Sequence, residues 1–249
     1  MTTAVLLAAG MGTRLRPYTK QFPKPLTKIL GKPIIEYSLN ALKNAGIEDI
    51  VVVTGYLGNK IQKHLKDGRH LGVKIRYCYN SRYMLGNAIS LKVAEKALSD
   101  KNPFFLLMGD HLFSEAIIEK AVKNIDREPL LCIDRNPHYP PQIKDATKVL
   151  IDQKGCIIDI GKNISRWNAI DTGLFVLDNA IFEVIYYLEK RKPDLTITDC
   201  IKYLSLNVKP VWGCDITEHF WFDIDTQQDI EFVESFLRRI LKCQENGMG

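Results

Sequence analysis

Three short apolar runs constrain the fold of this chain more than any other feature of its sequence. They lie at residues 4–9, 50–53 and 104–108. None alternates apolar with polar residues, as a strand with one face in water would, so each predicts a strand that is buried on both faces. Such strands belong to parallel sheets that helices cover on both sides. With 249 residues, of which 46% are hydrophobic, the chain is long enough to bury a core of this kind.

Apolar residues recur at helical spacing between and after these runs. The sets are Ile35, Leu39 and Leu42; Leu91, Ala94 and Leu98; and Ile118, Ala121, Val122 and Ile125. Each set spans about two turns of a helix. Strands that alternate with amphipathic helices predict an α/β fold with a doubly wound, Rossmann-like sheet.

The pattern changes after residue 140. The predicted elements are hairpin strands at 147–151 and 156–160 around a turn at 152–155, a strand at 171–177, and helices near 180–190 and 196–204. The chain closes with an amphipathic helix, which Thr226 and Asp229 begin at capping-box spacing. We therefore predict a single domain, in which residues 1–140 form the core and residues 141–249 add antiparallel strands to a mixed sheet.

Cysteine usage and the lack of targeting patterns indicate the compartment. The six cysteines are far apart and form no C-x-x-C pair, so neither a zinc site nor a disulfide framework is predicted. The N-terminus has no secretory signal, and no apolar run approaches the roughly 18 residues that a membrane helix needs. We expect a cytoplasmic protein with no membrane insertion.

The first apolar run leads directly into a glycine turn and a series of cations. Before the first acid, Glu36, the chain carries Arg14, Arg16, Lys20, Lys24, Lys28 and Lys32. The glycines Gly10 and Gly12 let backbone N–H groups approach a ligand closely, and cations beside them suit a polyphosphate. The dinucleotide-binding fingerprint is not matched, because Leu15 replaces its third glycine and no acid follows about 20 residues later.

The residues around this turn resemble a family signature. The run Leu7-Ala8-Ala9-Gly10-x-Gly12-Thr13-Arg14-Leu15-x-Pro17-x-Thr19, followed by Pro23-Lys24-Pro25, is similar to that of nucleotidyltransferases that activate sugar phosphates and related alcohol phosphates. The resemblance implies that Arg14 cradles a triphosphate and that Lys24 contacts phosphate near the reacting centre. These two are therefore the expected catalytic residues. The expected nucleotide-binding residues of the loop are Leu7, Ala8, Ala9, Gly10, Gly12, Thr13 and Arg14.

Two distant acids are the expected metal ligands. Asp110 follows the third apolar run, so it lies at the carboxyl end of a central strand, where open α/β sheets bind ligands; it is also expected to bind nucleotide. Asp225 belongs to Trp221-Phe-Asp223-Ile-Asp225-Thr226, which resembles the second acidic motif of the family. Carboxylates suit Mg²⁺, which takes its other oxygens from phosphates and water. The alternative is that Asp225, and Asp223 with it, is an ordinary acid before a helix.

The acceptor substrate is expected to bind in the segment 141–249. Lys162 stands where sugar-phosphate members of the family carry Glu-Lys-Pro, so it is assigned to the acceptor phosphate; an exposed loop lysine is the alternative. An aromatic wall and polar groups for a polyhydroxy ring are expected from Trp167, Asn168, Asp171 and Thr172. For the nucleotide, Asn87 and Ser90 stand where relatives contact base or ribose, and this spacing resembles cytidylyltransferases.

Among the branches of the family, the chain most resembles inositol-1-phosphate cytidylyltransferases, through Gly109-Asp110-His111 and the segment 161–173. The resemblance implies in-line attack by inositol 1-phosphate on CTP with Mg²⁺, giving CDP-inositol and pyrophosphate. A phosphate monoester is largely dianionic at neutral pH, so no general base is required. The product would pass to a separate membrane transferase that forms phosphodiesters such as di-myo-inositol phosphate.

Two other functions stay open at this point. One is thymidylyl or uridylyl transfer to a sugar 1-phosphate, and the other is a non-catalytic relative that binds nucleotide and regulates a partner. Nucleic acid is not an expected partner, because the cations lie in one loop and no nucleic-acid-binding motif accompanies them. The sequence leaves open whether the chain forms a homo-oligomer.

Overall fold

A computed structural model describes residues 2–98, 103–137 and 140–246, excluding the side chains of residues 140–142 and 243–246. The strands are β1 (Thr3–Ala8), β2 (Lys28–Ile29), β3 (Lys32–Pro33), β4 (Asp49–Thr54), β5 (Lys74–Tyr79), β6 (Phe104–Met108), β7 (His111–Phe113), β8 (Leu130–Asp134), β9 (Lys148–Ile151), β10 (Ile157–Gly161), β11 (Ala169–Leu177), β12 (Trp212–Asp215) and β13 (Trp221–Asp223). The helices are α1 (Ile34–Asn44), α2 (Gly58–Leu65), α3 (Asn87–Lys92), α4 (Glu115–Lys123), α5 (Pro140–Asp145), α6 (Ala180–Leu188), α7 (Ile197–Asn207) and α8 (Gln227–Asn246).

The three apolar runs form the centre of the main sheet. Strand β1 lies between β4 and β6 and is parallel to both, and β5 extends the parallel part beyond β4. Within the described residues this sheet has nine strands, in the order β10-β9-β11-β6-β1-β4-β5, with β8 and β12 joined through β11. The prediction of an α/β fold with a mostly parallel central sheet is confirmed.

Helices cover both faces of the sheet, which explains why its central strands are apolar throughout. Helices α1, α2 and α4 pack their apolar residues on one face, against residues such as Leu6 and Val52. Helices α3, α6 and α7 pack on the other face, against residues such as Val5 and Val51. Successive residues of a strand point to opposite faces, so both sets must be apolar when both faces are covered.

Antiparallel strands complete the sheet after residue 140, as predicted. Strand β11 runs antiparallel to β6 and β8, and its register with β8 shifts between Asp171 and Phe175. The hairpin of β9 and β10 turns at residues 152–155, where Gly155 has a φ of 92°. The helix α8 begins after the expected capping box, in which the Thr226 N–H donates to Asp229 Oδ2 (2.6 Å) and the Asp229 N–H donates to Thr226 Oγ1 (3.3 Å).

Two of the predicted helices end sooner than their apolar spacing suggests. Helix α3 stops at Lys92, and residues 95–97 form a tighter 3₁₀ turn; helix α4 stops at Lys123, and residues 125–127 do the same. Hydrogen bonds at i to i+3, such as Ala94 N–H to Leu91 O (2.9 Å), keep the apolar side chains on the core in both places. Among the described residues, none of the helices has the length and apolar character to cross a membrane.

Candidate active site

The glycine turn and Asp110 lie side by side because β1 and β6 are neighbours in the sheet. Strand β1 ends at Ala8 and β6 ends at Met108, and the two are parallel, so the segments that follow them leave the same edge. The Gly109 N–H donates to Leu7 O at 2.9 Å and joins the two segments. A Cβ on Gly109 would lie 2.8 Å from that same oxygen, so the approach requires glycine.

The turn itself is held by Gly12 and Lys24. Gly12 has a φ of 58°, and a Cβ at this position would lie 2.7 Å from Lys24 Cβ. The Thr19 hydroxyl donates to Gly12 O at 2.8 Å and so helps to hold the loop in this shape. The side chain of Lys24 therefore runs directly beneath the glycine turn.

Lys24 joins the glycine turn to the two acidic motifs. Its Nζ donates to Asp110 Oδ2 at 2.7 Å and to Asp225 Oδ1 at 2.6 Å, and Asp223 Oδ1 lies 3.7 Å away. Arg14 contacts the same cluster from outside, with Nη2 2.5 Å from Asp225 Oδ2. The structure thus brings together the four residues that the sequence analysis assigned to catalysis and metal binding.

Burial and charge act in opposite directions on the ionisation of these groups. Burial disfavours the Lys24 ammonium, but the carboxylates of Asp110, Asp223 and Asp225 outweigh this effect and raise the pKa of Lys24 above its usual range. Burial also opposes the ionisation of Asp110 and Asp225, yet the Lys24 charge beside them lowers the pKa of both carboxyls. At neutral pH the charged ammonium of Lys24 therefore contacts the ionised carboxylates of Asp110 and Asp225.

His111 and Asp223 are part of the cluster, although the sequence analysis gave neither of them a role. They face each other across the antiparallel pair β7 and β13. His111 Nδ1 lies 2.9 Å from Asp110 Oδ1 and 3.6 Å from Asp223 Oδ1. Burial disfavours the charged imidazole, but Asp223 and Asp110 outweigh it and raise the pKa of His111 to about 9. The adjacency to Asp110 was visible in the sequence, but the pairing with Asp223 was not.

Asp223 is held in an unfavourable environment. Among the described residues, its Oδ1 is buried and has no hydrogen-bond partner. Burial, together with the nearby carboxylates, raises the pKa of Asp223 to about 7. A buried oxygen of this kind is normally satisfied by a donor or a cation. Ligand atoms of Asp110, His111 and Asp223 lie within 4.8 Å of one another, which suits a metal ion.

A cavity of about 240 Å³ opens above this cluster. Its walls are Leu7, Ala8, Gly10, Gly12, Thr13, Arg14, Lys24, Pro25, Asp110 and Asp225. These include every predicted nucleotide-binding residue of the loop except Ala9, which packs in the apolar core and accepts the Tyr56 N–H at 3.0 Å. Backbone N–H groups of a glycine turn, two cations and two carboxylates suit a triphosphate with a divalent cation.

A second cavity, of about 250 Å³, adjoins the first. Arg14 and Asp225 line both of them. The polar side chains of the second cavity include Asn87, Asp145, Lys162, Asp171, Thr198 and Gln228. Burial raises the pKa of Asp171 to about 6, although its Oδ1 accepts the Gly173 N–H at 2.7 Å. Two adjoining cavities give room for two substrates to meet in one reaction.

Four predicted contact residues direct their side chains elsewhere. The buried Thr172 hydroxyl donates to Cys132 O at 2.8 Å, and both ends of the Asn168 amide bond the backbone of Ile151 at 2.9 Å. Ser90 Oγ accepts from Asn80 Nδ2 at 3.0 Å. Trp167 is 40% exposed at the surface. Asn87 does line the second cavity, while its Oδ1 accepts the Ile197 N–H at 2.8 Å.

Three other residues of the second cavity were not predicted from the sequence. Asp145 Oδ2 lies 3.3 Å from Arg14 Nη1, and Thr198 and Gln228 come from the first turns of α7 and α8. None of the three belongs to a motif, so no pattern in the sequence could have indicated them. They share one cavity only because the tertiary structure brings α5, α7 and α8 to it.

The fold and the site together define a nucleotide-transferring class of protein, and comparison with known proteins agrees. A protein-family model described as nucleotidyl transferase matches residues 3–239. The chain belongs to the nucleotidyl transferase family. Its enzymes generally use a divalent metal.

Particular relatives carry more specific names. The chain is 33% identical over 248 residues to the "Bifunctional IPC transferase and DIPP synthase" of Aquifex aeolicus, covering 99% of this chain and 54% of that protein. It is 36% identical over 227 residues to the protein of the same name from Archaeoglobus fulgidus, covering 91% and 42%. The solved structure of the inositol-1-phosphate CTP transferase from T. maritima matches with a TM-score of 0.77 and 28% identity, over 92% of this chain and 91% of that one. The chain thus spans about half the length of the curated relatives it matches.

Proposed function

We propose that this chain transfers the cytidylyl group of CTP to inositol 1-phosphate, releasing pyrophosphate and forming CDP-inositol. One observation carries the proposal: two cavities, one suited to a triphosphate and one polar, meet at Arg14 and Asp225. A reaction between two anionic substrates needs cations at the point where the substrates meet. The names of the Aquifex aeolicus and T. maritima relatives support the choice of substrates.

The chemistry of the transfer follows from charge. A phosphate oxygen of the acceptor attacks the α-phosphorus of CTP, and the bond between that phosphorus and the bridging oxygen to the β-phosphorus breaks, so that pyrophosphate leaves. Arg14 and Lys24 stabilise the charge that develops on the phosphates, and the glycine turn supplies backbone N–H donors. The attacking phosphate is largely a dianion, so the site needs no general base.

Mg²⁺ is the proposed metal. The carboxylates of Asp110 and Asp225 would hold it, with Asp223 as the third acid, because its buried Oδ1 lacks a hydrogen-bond partner among the described residues. Oxygen ligands suit Mg²⁺ better than the nitrogen of His111 does. When bound, the ion neutralises charge on the phosphates. Lys24 now contacts the same carboxylates, so its ammonium would have to leave them for the ion and would then be free to contact the phosphates.

The acceptor is proposed to bind in the second cavity. Lys162 is exposed at its rim and offers a charge to the acceptor phosphate. Asp171, Thr198 and Gln228 offer oxygen and nitrogen atoms that pair with ring hydroxyls. A pocket that pairs its polar groups with several hydroxyls rejects an acceptor that leaves them unpaired, at about 1–3 kcal/mol for each group.

The cell compartment and the next reaction are part of the same proposal. The described cysteines Cys78, Cys132, Cys156, Cys200 and Cys214 are free thiols, as expected in a reducing cytoplasm, where CTP is also available. CDP-inositol keeps an activated pyrophosphate linkage. We propose that a membrane transferase activity consumes it, joining the phosphoinositol to a second alcohol with loss of CMP.

A screen of pyrophosphate release tests the proposal. CTP, UTP and dTTP are each combined with inositol 1-phosphate and with glucose 1-phosphate, in the presence of Mg²⁺. We expect kcat/KM for CTP with inositol 1-phosphate to exceed that for CTP with glucose 1-phosphate by at least about a hundredfold, or roughly 2.7 kcal/mol. Asp225→Asn is the control, and its turnover should fall by at least about a hundredfold.

Two outcomes would contradict the proposal. If glucose 1-phosphate with UTP or dTTP turned over faster, the proposed substrates would be wrong, although the mechanism of nucleotidyl transfer would still hold. No release with any pair would favour a non-catalytic nucleotide-binding protein.

A further inference from the structure

His111 occupies a position from which it can control the metal-binding acids. It is the first residue of β7 and follows Asp110 directly, and it pairs with Asp223 across β13. Its Nδ1 lies 2.9 Å from Asp110 Oδ1 and 3.6 Å from Asp223 Oδ1. Because both neighbours of Nδ1 are carboxylate oxygens, this nitrogen must carry a hydrogen, whichever state the other nitrogen has.

The surroundings of the imidazole hold the ring in one orientation. It stacks against Phe113, with ring centroids 5.9 Å apart, and against Trp221, with centroids 6.3 Å apart. On its far edge, a Cβ on Gly173 would lie 2.7 Å from Nε2, so only glycine leaves room for the ring there. Gly173 has a φ of 77°, which also favours glycine. The ring therefore has little freedom to turn Nδ1 away from the acids.

The two oxygens of Asp110 consequently have separate partners. Oδ1 accepts from His111, and Oδ2 accepts from Lys24 at 2.7 Å. A carboxylate fixed at one oxygen cannot rotate freely, so the other oxygen keeps its direction. Asp110 and Lys24 both line the first cavity, so a cation that took the place of the Lys24 ammonium beside Oδ2 would lie at this cavity.

We propose that His111 is a positioning residue, which fixes Asp110 through Oδ1 and thereby orients Oδ2 toward the metal and the nucleotide. The proposal rests on the proposed function, because it assigns the metal to the nucleotide cavity. His111 does not ligate the ion in this arrangement. Its hydrogen bond determines how strongly the metal enhances nucleotide binding.

Substitutions can separate this role from packing. In His111→Asn the amide nitrogen reaches the place of Nδ1 and keeps a donor to Asp110. His111→Phe keeps a ring against Phe113 and Trp221 but has no donor. His111→Gln places its amide near the former Nε2, so it also loses the bond to Asp110. His64→Phe is the matched control, since His64 Nε2 lies 2.6 Å from Glu36 Oε1 in another histidine–carboxylate contact, and neither residue lines the two cavities.

The readout is the affinity for CTP without acceptor, measured by calorimetry once with Mg²⁺ and once with EDTA. The ratio of the two affinities gives the enhancement by the metal. We expect His111→Phe and His111→Gln to reduce this ratio by about 10- to 100-fold, with the affinity in EDTA within about twofold of the wild type. His111→Asn should stay within about fivefold of the wild-type ratio, and His64→Phe should match it.

The outcomes distinguish the inference from the proposed function. An unchanged ratio in His111→Phe, or an equal loss of affinity with and without Mg²⁺, would overturn the positioning role. A large fall of the ratio in His111→Asn would overturn the positioning role as well, because this variant retains the donor to Asp110. If His111→Phe does not fold, the test is the difference in this ratio between His111→Gln, which loses the donor to Asp110, and His111→Asn, which keeps it. If the wild-type protein binds no CTP with Mg²⁺, the proposed function fails instead.

Discussion

Replacement of Lys24 by methionine removes the only charge that contacts all three acids of the cluster in the described part of the chain. Methionine keeps the apolar stem beneath Gly12, so the change is mainly electrostatic. Removal of one partner from a buried ion pair costs about 3–5 kcal/mol. The Lys24 side chain is only 7% exposed, but those of Asp225 and Asp110 keep 16% and 32% exposure, which lessens the cost. We therefore expect the free energy of unfolding at pH 7.5 to fall by about 2–4 kcal/mol.

The pH dependence of this loss has a definite sign. Lys24 lowers the pKa of Asp110 and Asp225, and a carboxyl with a lowered pKa in the folded state contributes stability above its unfolded pKa of about 4. That contribution disappears as the pH falls through the folded pKa. The difference between wild type and Lys24→Met should therefore be large at pH 7.5 and shrink below about pH 4.

Magnesium should partly replace the missing ammonium. An ion at ten times its Kd stabilises the folded state by about 1.4 kcal/mol. Mg²⁺ should stabilise the folded state of Lys24→Met more than that of the wild type, because in the wild type Nζ already contacts Asp110 Oδ2 and Asp225 Oδ1. Urea unfolding with Mg²⁺ or with EDTA measures both effects, and Lys154→Met, at an exposed turn, is the control. The reasoning would be refuted if Lys24→Met lowered the free energy of unfolding by less than about 1 kcal/mol at pH 7.5. It would also be refuted if the difference from the wild type stayed the same below about pH 4.

Two further predictions concern single side chains. Asp223 has a pKa of about 7 in the folded state, above its unfolded value near 4, so its contribution to stability is lost as the pH rises between these values. In EDTA, Asp223→Asn should therefore be more stable than the wild type by at least about 1 kcal/mol at pH 8 and equally stable near pH 4. Thermal unfolding measures the difference. A variant that is less stable than the wild type at pH 8 would contradict the prediction. Lys162→Ala should raise KM for inositol 1-phosphate at least about tenfold and leave CTP binding within about twofold, with Lys154→Ala as the control. If Lys162→Ala weakened the binding of inositol 1-phosphate and of CTP equally, Lys162 would not be specific to the acceptor phosphate.

Much of the fold follows from local patterns in the sequence. The apolar runs at 4–9, 50–53 and 104–108 had to be buried on both faces, and the structure places them in the central parallel strands. Thr226 and Asp229 formed the expected capping box, because the partners of such a cap are only three residues apart. The glycine turn was also predictable, since close approach of a backbone to a ligand requires glycine.

The candidate site depended on contacts over long distances along the chain. Lys24 meets Asp110 across 86 residues and Asp225 across 201 residues. The sequence indicated that these residues carry charge, and the family resemblance suggested their roles. The pairing of β7 with β13 brought His111 and Asp223 into the same cluster, and no local pattern encodes that pairing. Asp223 therefore looked like an ordinary acid before a helix until its partners were known.

Strand geometry decided which of the predicted acceptor-binding residues reach the second cavity. In the sequence, Asp171 and Thr172 were equally good polar candidates. In β11, Asp171 lines the cavity and Thr172 turns to the other side and bonds Cys132 O, because neighbouring side chains of a strand alternate. The register shift between Asp171 and Phe175 adds a local irregularity that periodicity does not foresee. The sequence by itself determined the layers of the fold and the set of glycines and cations in the turn after β1. Tertiary structure alone decided which distant polar groups share a cavity, because strand pairing and strand facing depend on partners far away along the chain.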